Sequence, residues 1–167
     1  MNISMAPVSK DEKEILKNLL EKYEYEFSQY NNCDVNSLGL YGYDYLDYYW
    51  TEENRFIYFI KADDKLAGFV MISDYPEINI ETNYSVSEFF VMHKYRKSGI
   101  GTFAAKYIFD KYKGAWQLRY HPENRTSKLF WNKVVREYTN GNYKIIENNA
   151  EAEYEDGTIG EVLIFKT

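Results

Sequence analysis

The sequence is poor in cysteine and proline, has no basic stripe and contains no long apolar run. Cys33 is its one cysteine, so no intrachain disulfide can form, which suits a reducing compartment. Prolines occur only at Pro7, Pro76 and Pro122, too scattered to make a linker. No stretch approaches the roughly 20 apolar residues that span a bilayer, and Met1 to Lys10 has no apolar signal region. A cytoplasmic protein with no membrane partner is the expectation. The formal net charge is −6, whereas nucleic-acid binders usually show a basic face, so no nucleic-acid partner is expected. The acidity serves solubility, or favours cationic partners such as amines.

Aromatic residues are abundant: 18 Tyr and 10 Phe among 167 residues. A chain of this length builds one core, so residues 1–167 are expected to form a single domain. Aromatics in this excess cannot all be hidden, and tyrosine lines grooves well because its ring is apolar and its tip polar.

Ser9 and Glu12 form an S-x-x-E capping box. Behind them Ile15, Leu16, Leu19, Leu20, Tyr23 and Phe27 recur at helical spacing, which predicts an amphipathic helix over 10–29. Residues 31–42 read as loop, and 43–50 as a segment where Leu46, Tyr49 and Trp50 could share one face of a short helix. Strands are predicted over 56–62 and 66–73, turning at Asp63-Asp64. Both faces of the second strand are apolar, as in a central strand. A strand over 85–92 runs into a basic turn and a helix whose stripe reads Phe103, Ala104, Tyr107, Ile108 and Tyr112. A strand at 115–120, a helix at 124–138 and two closing strands at 143–148 and 161–166 complete an α/β order. It implies a single mixed β-sheet flanked by helices.

The informative stretch is Arg96-Lys97-Ser98-Gly99-Ile100-Gly101-Thr102, between a strand and a helix. A helix N-terminus leaves backbone N–H groups unpaired and carries partial positive charge, which makes an anion site. Glycines let the turn curl and clear side chains from a phosphate. Arg96 and Lys97 add full charge, and Thr102 a hydroxyl. A plain strand-to-helix turn would not need two cations beside two glycines. A dinucleotide fingerprint, Gly99-x-Gly101-x-x-Ala104, also matches, with Glu123 about 20 residues on. Against it, the strand ends well before the glycines and too little chain follows.

The run Val91-x-x-x-Tyr95-Arg96-x-x-Gly99-Ile100-Gly101 resembles the acyl-coenzyme A-binding segment of the GNAT superfamily of N-acetyltransferases, whose pattern is R/Q-x-x-G-x-G/A after a strand. The next strand, and Asn124 opening a helix, fit the same family. The resemblance implies the acyl-CoA N-acyltransferase (GNAT) fold. It also implies acetyl-CoA as donor and direct attack of a primary amine in a ternary complex, by a monomer or homodimer. It implies that the backbones of Phe90, Val91 and Met92 pair with the pantetheine arm. The amides of Lys97, Ser98, Gly99, Ile100, Gly101 and Thr102 hold the pyrophosphate, and Asn124 contacts the arm. Where many members carry a tyrosine that protonates the departing thiolate, this sequence has Trp131. Indole is a donor but no useful acid, so either another group serves, or the chain is a coenzyme A-binding module with little turnover.

Glu88 is the candidate base, three residues before Val91 in an apolar strand where burial would raise its pKa. The other reading has it facing solvent or paired with a cation. The oxyanion would meet an N–H near Val91 or Met92. His121 lies near the expected cleft, His93 in the basic turn, and neither has a second ligand at metal spacing. The aromatic and acidic run from Tyr41 to Glu53 is either a wall for a cationic amine or a core helix with a solvated face.

Overall fold

The computed structural model describes residues 1–167. Its first strand is one the sequence does not announce: Ile3–Pro7 (β1) lies along the sheet edge, antiparallel to β2. The capping box then forms as expected, with the Ser9 amide donating to the Glu12 carboxylate at 3.0 Å. It starts a short 3-10 turn and the helix Lys13–Asn31 (α1), which ends at Asn32 in the left-handed conformation. The ambiguous aromatic segment resolves into a turn and one helical turn, Tyr48–Thr51 (α2). Leu46 and Tyr49 are buried there, and the Trp50 indole donates to the Val8 carbonyl at 2.9 Å.

Phe56–Ala62 (β2) and Lys65–Ser73 (β3) form the expected hairpin. Asp63 and Asp64 both take positive φ, as a two-residue hairpin turn requires. The remaining elements are Tyr84–Val91 (β4), Ile100–Lys111 (α3), Ala115–Tyr120 (β5), Arg125–Tyr138 (α4), Tyr143–Ile146 (β6) and Glu161–Lys166 (β7). The strand order is β1-β2-β3-β4-β5-β7-β6, so β7 inserts between β5 and β6. The parallel pair is β4 and β5, joined through α3.

Two apolar layers cover the sheet. On one face Tyr58, Ile60, Val70, Ile72 and Leu118 pack with Ile100, Ala104, Ile108, Phe109, Val134 and Val135 of α3 and α4. On the other, Ile57, Phe59, Phe69 and Met71 pack with Leu16, Leu19 and Leu20 of α1 and with Tyr49 of α2. The alternation of β3 residues between the layers is the two-faced burial expected of a central strand. The stripe of α3 differs from expectation: Phe103 is 39% exposed, and Ala105 and Phe109 are buried instead. The helix is rotated toward its small residues, which let it sit close to the sheet.

Two irregularities in β4 make room for a site. Met71 pairs with Glu88 but Ile72 with Val86, so Ser87 is an extra, bulged residue. The parallel pairing with β5 stops at Val86–Leu118. Beyond that point the strands splay, and residues 87–91 of β4 have no strand on their β5 side.

Candidate active site

The splayed strands open onto two cavities that meet. The first, about 390 Å³, runs from β4 along the start of α3 and is lined by Phe89, Phe90, Val91, Arg96, Lys97, Gly99, Gly101, Thr102, Asn124 and Trp131, among others. Its end at α3 is an anion cradle. The first amide of the turn to find a carbonyl is that of Phe103, on Gly99 at 2.9 Å; none of the amides from Lys97 to Thr102 has an intramolecular acceptor. Lys97 (φ 59°) and Gly99 (φ 84°) take left-handed conformations, which curl successive N–H groups toward one side as an anion-binding nest. Gly101 has a second reason to be glycine: a Cβ there would sit 3.1 Å from the Phe130 ring.

Two of the expected residues have other tasks for their side chains. The Ser98 hydroxyl donates to the Tyr95 carbonyl at 2.6 Å, and Ile100 is wholly buried in the core, so each can offer only its amide. Arg96 is partly spent too, its Nε donating to the Val91 carbonyl at 2.7 Å and its terminal nitrogen lying 3.4 Å from Glu26.

Met92 departs from expectation. Its amide donates to the Ala67 carbonyl at 2.9 Å, so it is not free for the pantetheine arm or an oxyanion. Alternation in an antiparallel ladder then turns Phe90 toward β3 as well, and leaves the N–H and C=O of Phe89 and the N–H of Val91 projecting into the opening, the Val91 carbonyl being taken by Arg96. Of the three residues expected to supply backbone bonds, Val91 is the one so placed. Asn124 caps α4, its side-chain oxygen accepting from the Ser127 amide at 3.0 Å, and it lines both cavities. Trp131, 5% exposed, also lines both.

The second cavity, about 630 Å³, adjoins the first along β4, at Val86 to Phe89. Its walls carry the carboxylates of Glu24, Asp34, Asp44, Glu77, Glu88, Glu153 and Glu155, against Arg119 and His121 as basic groups. Among these acids only Glu77 has a full cationic partner, Arg119 at 3.1 Å. Arg119 also lies 4.2 Å from the Tyr154 ring centroid. Tyr23, Phe27, Tyr41, Tyr43 and Tyr45 add aromatic surface. The Tyr41–Glu53 run divides, with Leu46 and Tyr49 in the core and Tyr41 to Tyr45 lining the cavity.

Glu88 projects from the bulged part of β4 into this second cavity. It is half-buried, with no cation beside it, and accepts a hydrogen bond from the Tyr43 hydroxyl at 3.0 Å. Burial pushes its carboxyl up to about 8; the hydroxyls of Tyr23 and Tyr43 pull the other way, and the charges of Glu24 and Glu77 push further up. Glu24 is raised to about 7, by burial first and then by Glu155 and Glu21. His121 is 2% exposed and reaches Asp156 at 3.3 Å, while His93 is mostly exposed and paired with Glu26. Cys33 donates to Glu155 at 3.1 Å, which with burial pushes its thiol up to about 11, so it is no activated nucleophile.

Tyr23, Glu24, Glu77, Arg119, Tyr154 and Glu155 were not singled out from the sequence. Tyr23 sits in the apolar stripe of α1 and reads there as core. The others lie far apart along the chain, and no spacing rule joins them.

A seven-stranded mixed sheet, split beside an amide-lined anion cradle, defines a protein that holds an acylated nucleotide-type cofactor. The sequence pattern of the acetyltransferase (GNAT) family matches residues 16–135, and the chain belongs to that family. Acetyl-CoA is accordingly its donor, and acetyl transfer its activity. No curated protein sequence is significantly similar to the chain. Among solved structures, an acetyltransferase from Thermus thermophilus superposes with a TM-score of 0.70 at 13% identity, covering 100% of this chain and 98% of its own. The PaiA N-acetyltransferase of Thermoplasma acidophilum, solved with coenzyme A, gives 0.61 at 14% identity, covering 100% of each chain. A GNAT acetyltransferase from Elizabethkingia anophelis with acetyl-CoA bound gives 0.58 at 15%, covering 99% of each. No helix of this chain is long and apolar enough to cross a membrane.

Proposed function

We propose that the chain is a single-domain, cytoplasmic N-acetyltransferase whose acceptor is a small primary amine bearing at least one further positive charge. The observation that carries this is the unbalanced acidity of the second cavity, where six of the seven carboxylates lack a full cationic partner. Glu24 and Glu88 are the part-buried acids without a cation, and a positive charge beside them would favour their ionised forms. Aromatic rings beside the acids suit ammonium groups further. The amides of 97–102 with Lys97 fit a pyrophosphate. When bound there, acetyl-CoA supplies a thioester carbonyl open to attack.

Glu88 then acts as base. An amine must lose a proton as it attacks, and a carboxylate raised to about 8 is matched to that task near neutrality. A bound dication lowers that value again, since positive charge favours the carboxylate. The Val91 amide is the donor for the developing oxyanion.

The test is thiol release from acetyl-CoA with a panel of acceptors: linear diamines and oligoamines, monoamines of equal length, amino acids and peptide N-termini. Diamines are expected to exceed matched monoamines in kcat/KM by tenfold or more, about 1.4 kcal/mol. Preference for acidic or neutral acceptors defeats the reading. No thiol release with any acceptor, beside intact acetyl-CoA binding, favours the coenzyme A-binding module suggested by Trp131.

A further inference from the structure

Acyl transfer leaves a proton to be placed. The attacking nitrogen sheds one, the departing sulfur needs one, and Trp131 cannot supply it because an indole N–H is not an acid near neutrality. We propose that Tyr23 is the general acid, working as a relay with Glu88. Its phenol protonates the departing sulfur and takes back the proton that Glu88 removed from the amine. This rests on the N-acetyltransferase reading above.

The placement comes from the two cavities. The donor enters one and the acceptor the other, so the reacting atoms meet where both are lined by the same residues: Tyr23, Phe27, Phe89, Asn124, Ser127 and Trp131. Of these, Tyr23 alone has a proton acidic enough to give up. The other phenols close by are elsewhere or occupied. The Tyr120 hydroxyl donates to Glu161 at 2.7 Å and accepts from Asn132 at 2.8 Å. Tyr43 and Tyr154 line only the acceptor cavity, and Tyr30 only the donor groove. His121 reaches only the acceptor cavity and is tied to Asp156.

Tyr23 is also held in place. Its ring meets Phe69 and Phe90 edge-on, at 5.9 and 6.0 Å, and stacks on Phe27 at 6.1 Å. Its hydroxyl is close enough to Glu88 for each to shift the other's proton affinity. Burial raises the phenol well above its ordinary value, and the charge of Glu88 raises it further. An isolated Tyr23 would therefore be a poor acid. The relay meets both causes: Glu88 has already been neutralised by the amine's proton when the thiolate leaves, and its return of that proton means no phenolate has to stand in the buried site.

In full, the N–C bond forms and the amine's proton goes to Glu88. The C–S bond breaks with its electron pair on sulfur, the Tyr23 proton goes to sulfur, and the Glu88 proton returns to Tyr23. Amide and thiol leave, and both side chains are restored. The net transfer runs from a carboxyl near 8 to a thiol near 8.5, close to level.

The experiment compares wild type with Tyr23→Phe, which keeps the ring and its packing. It measures kcat at saturating acceptor, calorimetric acetyl-CoA affinity, and the titration of bound coenzyme A thiol by ultraviolet thiolate absorbance. Tyr23→Phe is expected to lower kcat about 100-fold and to leave acetyl-CoA affinity within twofold. The bound thiol pKa is expected to rise by about one unit, because a hydrogen bond to the thiolate is lost. Tyr23→His, which restores a proton donor, is expected to recover part of the rate and decides the matter should the Phe variant not fold. Tyr25→Phe, at a site 72% exposed, is expected to match wild type. Wild-type kcat in Tyr23→Phe, an unmoved thiol titration, or no recovery in Tyr23→His overturns the assignment. If wild type turns over no amine, the N-acetyltransferase reading fails, while the thiol titration still decides whether Tyr23 reaches the sulfur.

Discussion

The donor groove and the acceptor cavity meet along one seam yet are built in opposite ways. The groove's anion cradle comes from six consecutive residues and works mainly through backbone amides, so charge and turn geometry suffice to make it. The acceptor cavity is assembled from α1, the loop after it, the bulge of β4, the end of β5, the start of α4 and the segment 153–155, and it works through side chains. The first is basic and generic, fit for a donor shared by many relatives. The second is acidic and particular, and on the reading proposed above it is where specificity would lie.

Four substitutions sharpen that contrast. The largest effect is expected at Glu88, the proposed base. Glu88→Gln should lower kcat by about 10² to 10⁴-fold. Because a raised carboxyl is protonated below its pKa, wild-type kcat/KM should climb with pH through about 8, and Glu88→Gln should lose that limb. An acceptor amine with a pKa well below 7 keeps its own titration out of the profile.

Thr102→Glu addresses the groove. It sets a negative charge at the cradle while remaining favourable in a helix's first turn. Acetyl-CoA affinity should fall about 100-fold, with the melting temperature unchanged. Unaltered affinity would mean that the pyrophosphate lies elsewhere.

Smaller effects are expected on the outer acceptor wall. Glu24→Gln and Glu155→Gln should each raise KM for a diamine by up to about tenfold, roughly 1.4 kcal/mol, and leave a monoamine nearly untouched. Equal effects on both amines would show that these acids do not read the second charge.

The sequence by itself determined what is local. The existence and order of most helices and strands, the S-x-x-E box and the hairpin at Asp63-Asp64 are set by neighbours a few residues apart, and these formed as expected. Tertiary structure decided the rest. β1 exists because β2 offers it an edge. Phe103 is exposed because α3 packs through its alanines. The Met92 amide is taken because the pairing between β3 and β4 runs one residue further than β4 itself. Tyr23 looks like any core residue in the stripe of α1. It becomes a junction residue only because β4 and β5 part beneath it. Periodicity records which side of a helix is apolar, but not whether that side meets a packed sheet or the gap between two strands.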